Sequence, residues 1–300
     1  MTHGKKALIT GIKGFTGHYM AAELSAAGYE VFGLGSTPTE KNEHYLQVDL
    51  THAEQVKAAV DKIAPDVVVH LAAIAFVGHA NPNAFYEVNL AGSRNLLQAL
   101  VETEKQPEAV LLASSANVYG NNTPGMLNEA TPANPANDYA VSKLAMEYVA
   151  KLFEKKLPLI IARPFNYTGV GQSDNFLIPK VVNHFRQRRN VIELGNIDVW
   201  RDFSDVRFLA KSYAALLSSS AFGKTVNVAS GEMYSLREVI DLCRSLTGHK
   251  ISVEVNQNFV RANEIRELCG DISLLNQLTN YRLKPIPLKE TLKWMLEAKS

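Results

Sequence analysis

Short apolar, β-branched runs alternate with amphipathic windows through the first half of this chain, and that rhythm limits the possible folds more than any other feature. Residues 6–10, 30–35, 45–50, 66–73, 109–114 and 159–165 read as strands, and 15–28, 53–64, 83–104 and 138–155 as the helices between them. The run Val67-Val68-Val69-His70-Leu71-Ala72 is apolar on both faces apart from His70. Both of its faces are therefore suited to burial, as in a parallel sheet covered by helices on each side. Strand–helix alternation of this kind predicts an α/β fold, a doubly wound parallel sheet built through right-handed crossovers. Beyond Pro164 the rhythm loosens. Residues 166–174 are polar and glycine-rich, a helix follows to about 189, and 205–219, 225–229 and 235–248 read as helix, strand and helix. Ser235 with Glu238 three residues on makes a capping box, and Gly248 a C-terminal stop. The expected division is a first domain of residues 1–165 plus about 204–230, and a smaller discontinuous lobe of about 166–203 and 231–300.

Bulk composition excludes several functions. With 31 basic and 30 acidic residues, net charge +1, the chain has no basic excess for nucleic acid or a membrane surface. Two cysteines, Cys243 and Cys269, suit neither a disulfide framework nor a metal site, and the eight histidines form no ligand-like cluster. No metal is expected. The N-terminal residues lack a signal-like apolar stretch and no apolar run reaches membrane-spanning length, so a soluble, cytoplasmic protein is expected.

The first strand leads into Gly11-Ile12-Lys13-Gly14-Phe15-Thr16-Gly17 and then a helix. Glycines spaced three apart let the backbone turn tightly and approach a pyrophosphate, whose charge suits the unpaired amides of a helix N-terminus. Glycines also serve plain turns, so placement between first strand and first helix carries the reading. An acid ending the second strand would select NAD by its ribose hydroxyl. Here the segment is Leu34-Gly35-Ser36-Thr37, and Ser36 with nearby Lys41 accommodates a 2′-phosphate. NADP(H) is favoured, with NAD(H) usable. Asp49, followed by Leu50, either accepts from the adenine amino group or caps the next helix. Asn89 either holds backbone or water near the nicotinamide or is solvated.

Tyr139-Ala-Val-Ser-Lys143 places a phenol and an ammonium on one helical face. A cation beside a phenol favours phenolate, so Lys143 is expected to lower the pKa of Tyr139 and make it a general acid/base. The fifth strand ends in Ser114-Ser115, whose hydroxyl completes a group around a reacting carbonyl.

Together TGIKGFTG, the DL at Asp49, HLAAIA, SSANVYG, YAVSK and ARPFNYTG resemble the extended short-chain dehydrogenases that modify nucleotide sugars. The resemblance runs through nearly the whole chain. It implies a Rossmann-type sheet with a smaller discontinuous C-terminal substrate-binding lobe. It makes Tyr139 the general acid, Lys143 the group that tunes it and holds the nicotinamide ribose, and Ser115 the partner of the sugar carbonyl. It also implies cofactor contacts at Leu71, Ala72, Ala73 and Pro164, and substrate contacts at Asn166 and Lys180. In these families the helices corresponding to 83–104 and 138–155 pair across a two-fold axis. Leu96, Leu97, Leu100, Met146 and Val149 supply apolar residues on more than one face; at least half of them must face the sheet, and the pairing implied by the resemblance makes a homodimer the expectation.

Dehydratases of the family carry a carboxylate two positions after the serine or threonine. Asn117 stands there and cannot serve as an acid/base, leaving reductase, epimerase or decarboxylase chemistry. The stretch from Leu194 to Phe203 is similar to the L-G-N-x-D-x-x-R-D segment of GDP-mannose dehydratases, and Arg261 to Asp271 to their R-P-x-E-V-x-x-L-x-G-D segment. Ala262 departs from the proline of that pattern, and Ala75 from a hydroxyl common near the sugar. The likeness implies that Arg201 contacts a diphosphate and that Arg261 and Glu264 contact a GDP moiety. A GDP pocket without elimination chemistry resembles the GDP-4-keto-6-deoxy-D-mannose reductases, implying a GDP-linked 4-keto-6-deoxy sugar as substrate. A 4-epimerase is the alternative, and a non-catalytic NADP(H)-sensing relative the remote one.

Overall fold

The computed structural model describes residues 4–39, 42–75, 80–121, 123–257 and 266–298. The first half runs β1 (Lys6–Thr10), α1 (Phe15–Ala26), β2 (Glu30–Gly35), β3 (Tyr45–Gln47), α2 (Ala53–Ile63), β4 (Val67–His70), α3 (Asn83–Phe85), α4 (Ser93–Glu102), β5 (Ala109–Ala113), β6 (Gly125–Leu127), α5 (Asp138–Lys151) and β7 (Leu159–Pro164). The second half runs β8 (Asn166–Thr168), α6 (Leu177–Arg186), β9 (Val191–Leu194), β10 (Trp200–Asp205), α7 (Val206–Leu217), β11 (Lys224–Val228), β12 (Met233–Ser235), α8 (Leu236–Thr247), β13 (Ser252–Val255), β14 (Glu267–Gly270), α9 (Ser273–Leu278) and α10 (Leu288–Glu297).

Seven strands form one sheet in the order β11-β7-β5-β4-β1-β2-β3, with every pairing parallel. Side chains alternate across it with the strand period of two. Leu8, Val68, Val110 and Leu112 pack on one face with residues of α2, α4 and α5. Ala7, Ile9, Val67, Val69 and Leu111 pack on the other with residues of α1 and α7. Both faces are closed, which is why these strands show no polar alternation. Burying each such Leu or Val contributes about 1.5–3 kcal/mol, so this sheet anchors the first half of the chain. Strand order reverses between β1 and β4, and the crevice beyond the strand ends there is the place where such sheets bind ligands.

A second sheet has the order β12-β10-β14-β6, with β8 joined to β10, and β9 pairs β13. Its core includes Ile178, Val181, Phe185, Phe203, Val239, Ile240 and Leu292. The strand Gly125–Leu127, absent from the sequence reading, joins this sheet through parallel pairing with β14. Three residues with a glycine at one end give too short a pattern to register as a strand. The helix expected over 83–104 is also not uniform. A π-helical turn, Tyr86–Gly92, separates α3 from α4 and carries Asn89; such turns concentrate at functional sites. The capping box of Ser235 and Glu238 forms as expected, and Gly248 closes α8 in the left-handed region. No helix among the described residues is long and apolar enough to cross a membrane.

Candidate active site

The glycine loop sits at the end of β1. Gly11 has φ +73°, and a Cβ on it would lie 2.9 Å from the backbone of Ala72 on the neighbouring chain segment. A Cβ on Gly17 would strike the carbonyls of Gly11 and Ile12. Only glycine permits this close turn. Gly14 precedes α1 as its N-cap and no side chain caps that end. The first-turn amides at Phe15, Thr16 and Gly17 thus face a cradle shaped by missing side chains, which fits a dinucleotide pyrophosphate. The side chains of Phe15 and Thr16 turn elsewhere. Phe15 stacks on Tyr167 with centroids 6.1 Å apart, and the Thr16 hydroxyl is 2.9 Å from the Tyr167 hydroxyl.

Ser36 and Thr37 lie just past β2 in a turn held by Tyr45, whose hydroxyl donates to the Gly35 and Thr37 carbonyls. Lys41 lies outside the described residues. Lys13 stands at this turn instead: its Nζ donates to the Pro38 carbonyl at 3.2 Å and lies 4.2 Å from the centre of the Tyr45 ring. Asp49 accepts from the amide and hydroxyl of Thr51, and these bonds hold its carboxyl below the usual carboxylate range. It closes the turn before α2, while the α2 N-cap is His52. Leu50 is buried in the sheet core.

A buried hydrogen-bond chain crosses from β1 to α5. The Ala72 amide donates to the Thr10 hydroxyl, which is 2.6 Å from His70 Nδ1; His70 Nε2 is 2.7 Å from the Ser93 hydroxyl, which donates to the Asn89 carbonyl. Because Ser93 spends its proton on Asn89, it accepts from His70, and this places the imidazole proton on Nε2. Burial, with the Lys143 charge, pushes His70 down to about 3, so the ring stays neutral. Asn89 is fully buried, which removes the solvated reading. Its side chain exchanges hydrogen bonds with the backbone of Ile74 and donates to the Ser142 hydroxyl, which donates to the Tyr139 carbonyl. Leu71, Ala72 and Ala73 are half-buried on the segment so anchored.

Helix α5 is capped by Asn137, whose side chain accepts from the Ala140 amide at 2.9 Å. Its first turns present Tyr139 and Lys143, both buried. Ser115 accepts from the Asn117 amide, an arrangement that leaves its own proton to donate. Tyr139 and Ser115 are neighbours. Burial pushes the phenol up to about 12, with Ser115 acting the other way. Burial pushes Lys143 down to about 8, opposed by Glu147. The expectation that Lys143 lowers the phenol is therefore corrected: burial sets the direction, and the group opposing it is Ser115. The Lys143 Nζ instead donates to the Ala113 carbonyl at 2.7 Å.

The substrate-side residues are less gathered. Pro164 ends β7, and Asn166 is exposed at the start of β8. Lys180 donates to the Glu193 carbonyl, and Arg201 on β10 donates to the Trp200 carbonyl. Arg261 and Glu264 lie outside the described residues. Sequence reasoning missed Ser142, Glu147, Arg163 and Tyr167. The first two were within reach of it, since Ser142 lies between the paired residues and Glu147 falls one turn beyond Lys143 on the same face.

Sheet order and glycine cradle are those of a Rossmann-type dinucleotide-binding fold, with Ser115, Tyr139 and Lys143 gathered at the end of β5 and start of α5. The match of residues 7–229 to the NAD dependent epimerase/dehydratase family makes this chain a member of that family and an NAD(P)-dependent enzyme. It is 36% identical to the GDP-6-deoxy-D-talose 4-dehydrogenase of Aggregatibacter actinomycetemcomitans over 94% of each chain. It is 31% identical to the GDP-6-deoxy-D-mannose reductase of Pseudomonas aeruginosa, over 97% of this chain and 96% of that one. The structure of RMD from Pseudomonas aeruginosa complexed with NADPH superposes with a TM-score of 0.83 at 30% identity, over 97% and 98% of the two chains.

Proposed function

We propose that this chain reduces the C4 ketone of a GDP-linked 4-keto-6-deoxy-hexose, giving GDP-D-rhamnose (GDP-6-deoxy-D-mannose) or its C4 epimer. The observation that carries the reading is the neighbouring placement of Ser115 and Tyr139, with Lys143 one turn on and Asn117 where elimination would need a carboxylate. A bound nicotinamide supplies the hydride. Tyr139 gives its phenolic proton to the sugar oxygen as the ketone becomes an alcohol, and Ser115 donates a hydrogen bond to that oxygen while negative charge develops. Lys143 holds positive charge beside the phenol that loses its proton, and bonds the nicotinamide ribose. The amides of Phe15, Thr16 and Gly17 hold the cofactor pyrophosphate, with Gly11 and Gly14 giving it room. Asp49, Leu50, the 71–73 segment and Pro164 line the rest of the cofactor site, and Asn89 positions it. Asn166, Lys180 and Arg201 take the nucleotide sugar, together with Arg261 and Glu264.

NADPH is the favoured reductant. Ser36 and Lys13 at the end of β2 offer a hydroxyl and a cation, with no acidic side chain in the 34–38 segment to repel a 2′-phosphate. The two relatives, one named a talose 4-dehydrogenase and one a mannose reductase, support redox chemistry at C4 of a GDP-6-deoxy-hexose. We place the reaction in the cytoplasm, and residues of about 166–203 and 231–300, whose sheet β6 also joins, form the substrate lobe.

A homodimer completes the reading, though not through the side chains first expected. Leu96, Leu97, Leu100 and Met146 are fully buried against the sheet, and Val149 packs on the same core. The outward face of α5 carries Val141, Tyr148 and Leu152 instead, all exposed and within three turns.

Purified protein incubated with GDP-4-keto-6-deoxymannose and NADPH should consume NADPH stoichiometrically and yield a product assignable by NMR. Interconversion of 4-epimers by tightly bound NAD without net consumption would replace this reading with the epimerase.

A further inference from the structure

Three successive residues at the end of β5 meet three turns of α5. The Ala113 carbonyl accepts from Lys143 Nζ, Ser114 donates to Glu147 Oε1 at 2.5 Å, and Ser115 lies beside Tyr139. Glu147 is only 3% exposed and also accepts from Arg163 on β7, through Nε at 2.9 Å and Nη2 at 2.6 Å. Arg163 in turn lies 4.9 Å from the centre of the Tyr119 ring, whose hydroxyl donates to Asn227 on β11. Residues 139, 143 and 147 thus form one face, and the last of them is clamped to two strands.

We propose that Glu147 is a positioning residue of the proton-donor group: fixed by Arg163, it holds Lys143 and the Ser114–Ser115 strand end in register with Tyr139. The proposal rests on the reading of Tyr139 as proton donor. A buried ion pair contributes little net stability beyond an apolar pair of similar volume, so stability alone does not account for a carboxylate here. Its location does. Lys143 is buried and needs a countercharge to stay an ammonium, and Glu147 provides it from the same helix.

Other groups around Lys143 do not duplicate this role. His70 on β4 is neutral, Arg163 is bonded to Glu147, and the phenols of buried Tyr139 and Tyr119 and half-buried Tyr167 are all raised by desolvation. On the helical segments packed against α5, Glu87 and Arg94 are exposed and Tyr86 donates to Asp138.

The sign of the effect follows. Lys143 sits at about 8 and Tyr139 at about 12, so the lysine loses its proton first as pH rises. Removing the carboxylate that raises Lys143 brings that loss to lower pH. In the NADPH-saturated enzyme, Glu147→Gln should lower the alkaline limb of the kcat/KM profile by about one unit. The loss in rate at pH 8 should appear mainly in kcat. Because an unpaired Arg163 threatens folding, the double variant Glu147→Gln/Arg163→Met is measured beside it. It should melt near the parent protein and keep the lowered limb. An alkaline limb at the parent value in the folded double variant overturns the proposal. Tyr139→Phe in the same assay separates the two ideas, since parent-like turnover there defeats the proton-donor reading rather than the role of Glu147.

Discussion

Polar groups on the proposed cofactor side of the cleft are buried and closed into chains, whereas those on the proposed substrate side stand nearer the surface, within reach of solvent. From Ala72 to Tyr139, Thr10, His70, Ser93, Asn89 and Ser142 pass hydrogen bonds along a dry path. Across the cleft Asn166 is exposed and Arg201 half-buried. The difference separates two tasks. Reduction with one cofactor needs fixed geometry, which a satisfied buried network supplies. Selection of one nucleotide sugar needs side chains that a ligand can reach, and a fully buried network offers none.

The sharpest way to break this comparison is at its centre. Tyr139→Phe should reduce kcat by about 10²–10⁴ while NADP(H) binding stays within error. Steady-state kinetics with parallel fluorescence titration of NADPH measure both. If binding fell as much as turnover, the phenol would belong to the scaffold rather than to the chemistry.

The second effect is on folding. His70→Leu leaves the Thr10 and Ser93 hydroxyls without a shared partner, at about 1–3 kcal/mol each. Tm should fall accordingly. A pH signature accompanies it. The folded ring is held at about 3, below its ordinary 6.5, by burial and the Lys143 charge. Its contribution is complete above pH 6.5 and is lost as pH falls toward 3, by about 1.4 kcal/mol per unit. The His70→Leu protein should lose less stability between pH 6.5 and 4.5 than its parent. An identical acid slope in calorimetry would show that His70 is not buried neutral in solution.

Legibility in the sequence divides along the same line. Strands β1, β4, β5 and β7 were readable because both faces of each are buried, and the glycine loop because only glycine tolerates Gly11 against Ala72. Ser115, Tyr139 and Lys143 were readable as a spacing, and the fold brings them together. What pattern could not show is distance in space. Arg163 lies 16 residues from Glu147, and Tyr167 lies 151 from Thr16; neither pairing has a periodicity. The π-helical turn was equally hidden, since Tyr86–Gly92 keeps an ordinary amphipathic composition while shifting Asn89 into the interior. Which apolar side chains of α4 and α5 face outward was hidden for a related reason. Apolar residues on a helix between a sheet and a neighbouring helix look the same in sequence whether they face a core or a partner.

On the open side, Arg201→Ala should weaken nucleotide-sugar binding roughly ten- to a hundredfold, as expected for losing a charged hydrogen-bond donor worth about 1.5–3 kcal/mol. NADP(H) affinity should not change. Arg201→Lys should recover only part, because an ammonium cannot pair two diphosphate oxygens as a planar fork does. Calorimetric titration of GDP, UDP and dTDP into the NADP⁺-saturated protein gives the test. Tighter binding of UDP or dTDP than GDP would remove the GDP assignment and leave the reductase chemistry standing.

The smallest expected effect sits where the two kinds of region meet. Lys13 belongs to the glycine loop, yet its ammonium reaches the exposed turn after β2, held at the Tyr45 ring and the Pro38 carbonyl. A cation already placed there loses little freedom when a 2′-phosphate arrives, so its contribution is to choice between cofactors rather than to turnover. Because Lys13 is exposed, water screens the attraction, and an ion pair of this kind is worth little beyond a few-fold. Lys13→Met keeps the stem against the ring and removes the charge. KM for NADPH should rise about two- to fivefold, KM for NADH should stay level, and kcat with either should be unchanged. The difference should shrink further in high salt, because phosphate and ammonium are both open to counterions. A variant whose NADPH and NADH constants move together would place Lys13 among the loop's structural residues. Ser36 at the same turn would then be the next group to test, and Ser36→Ala in the same two assays would show whether it contributes to the 2′-phosphate preference.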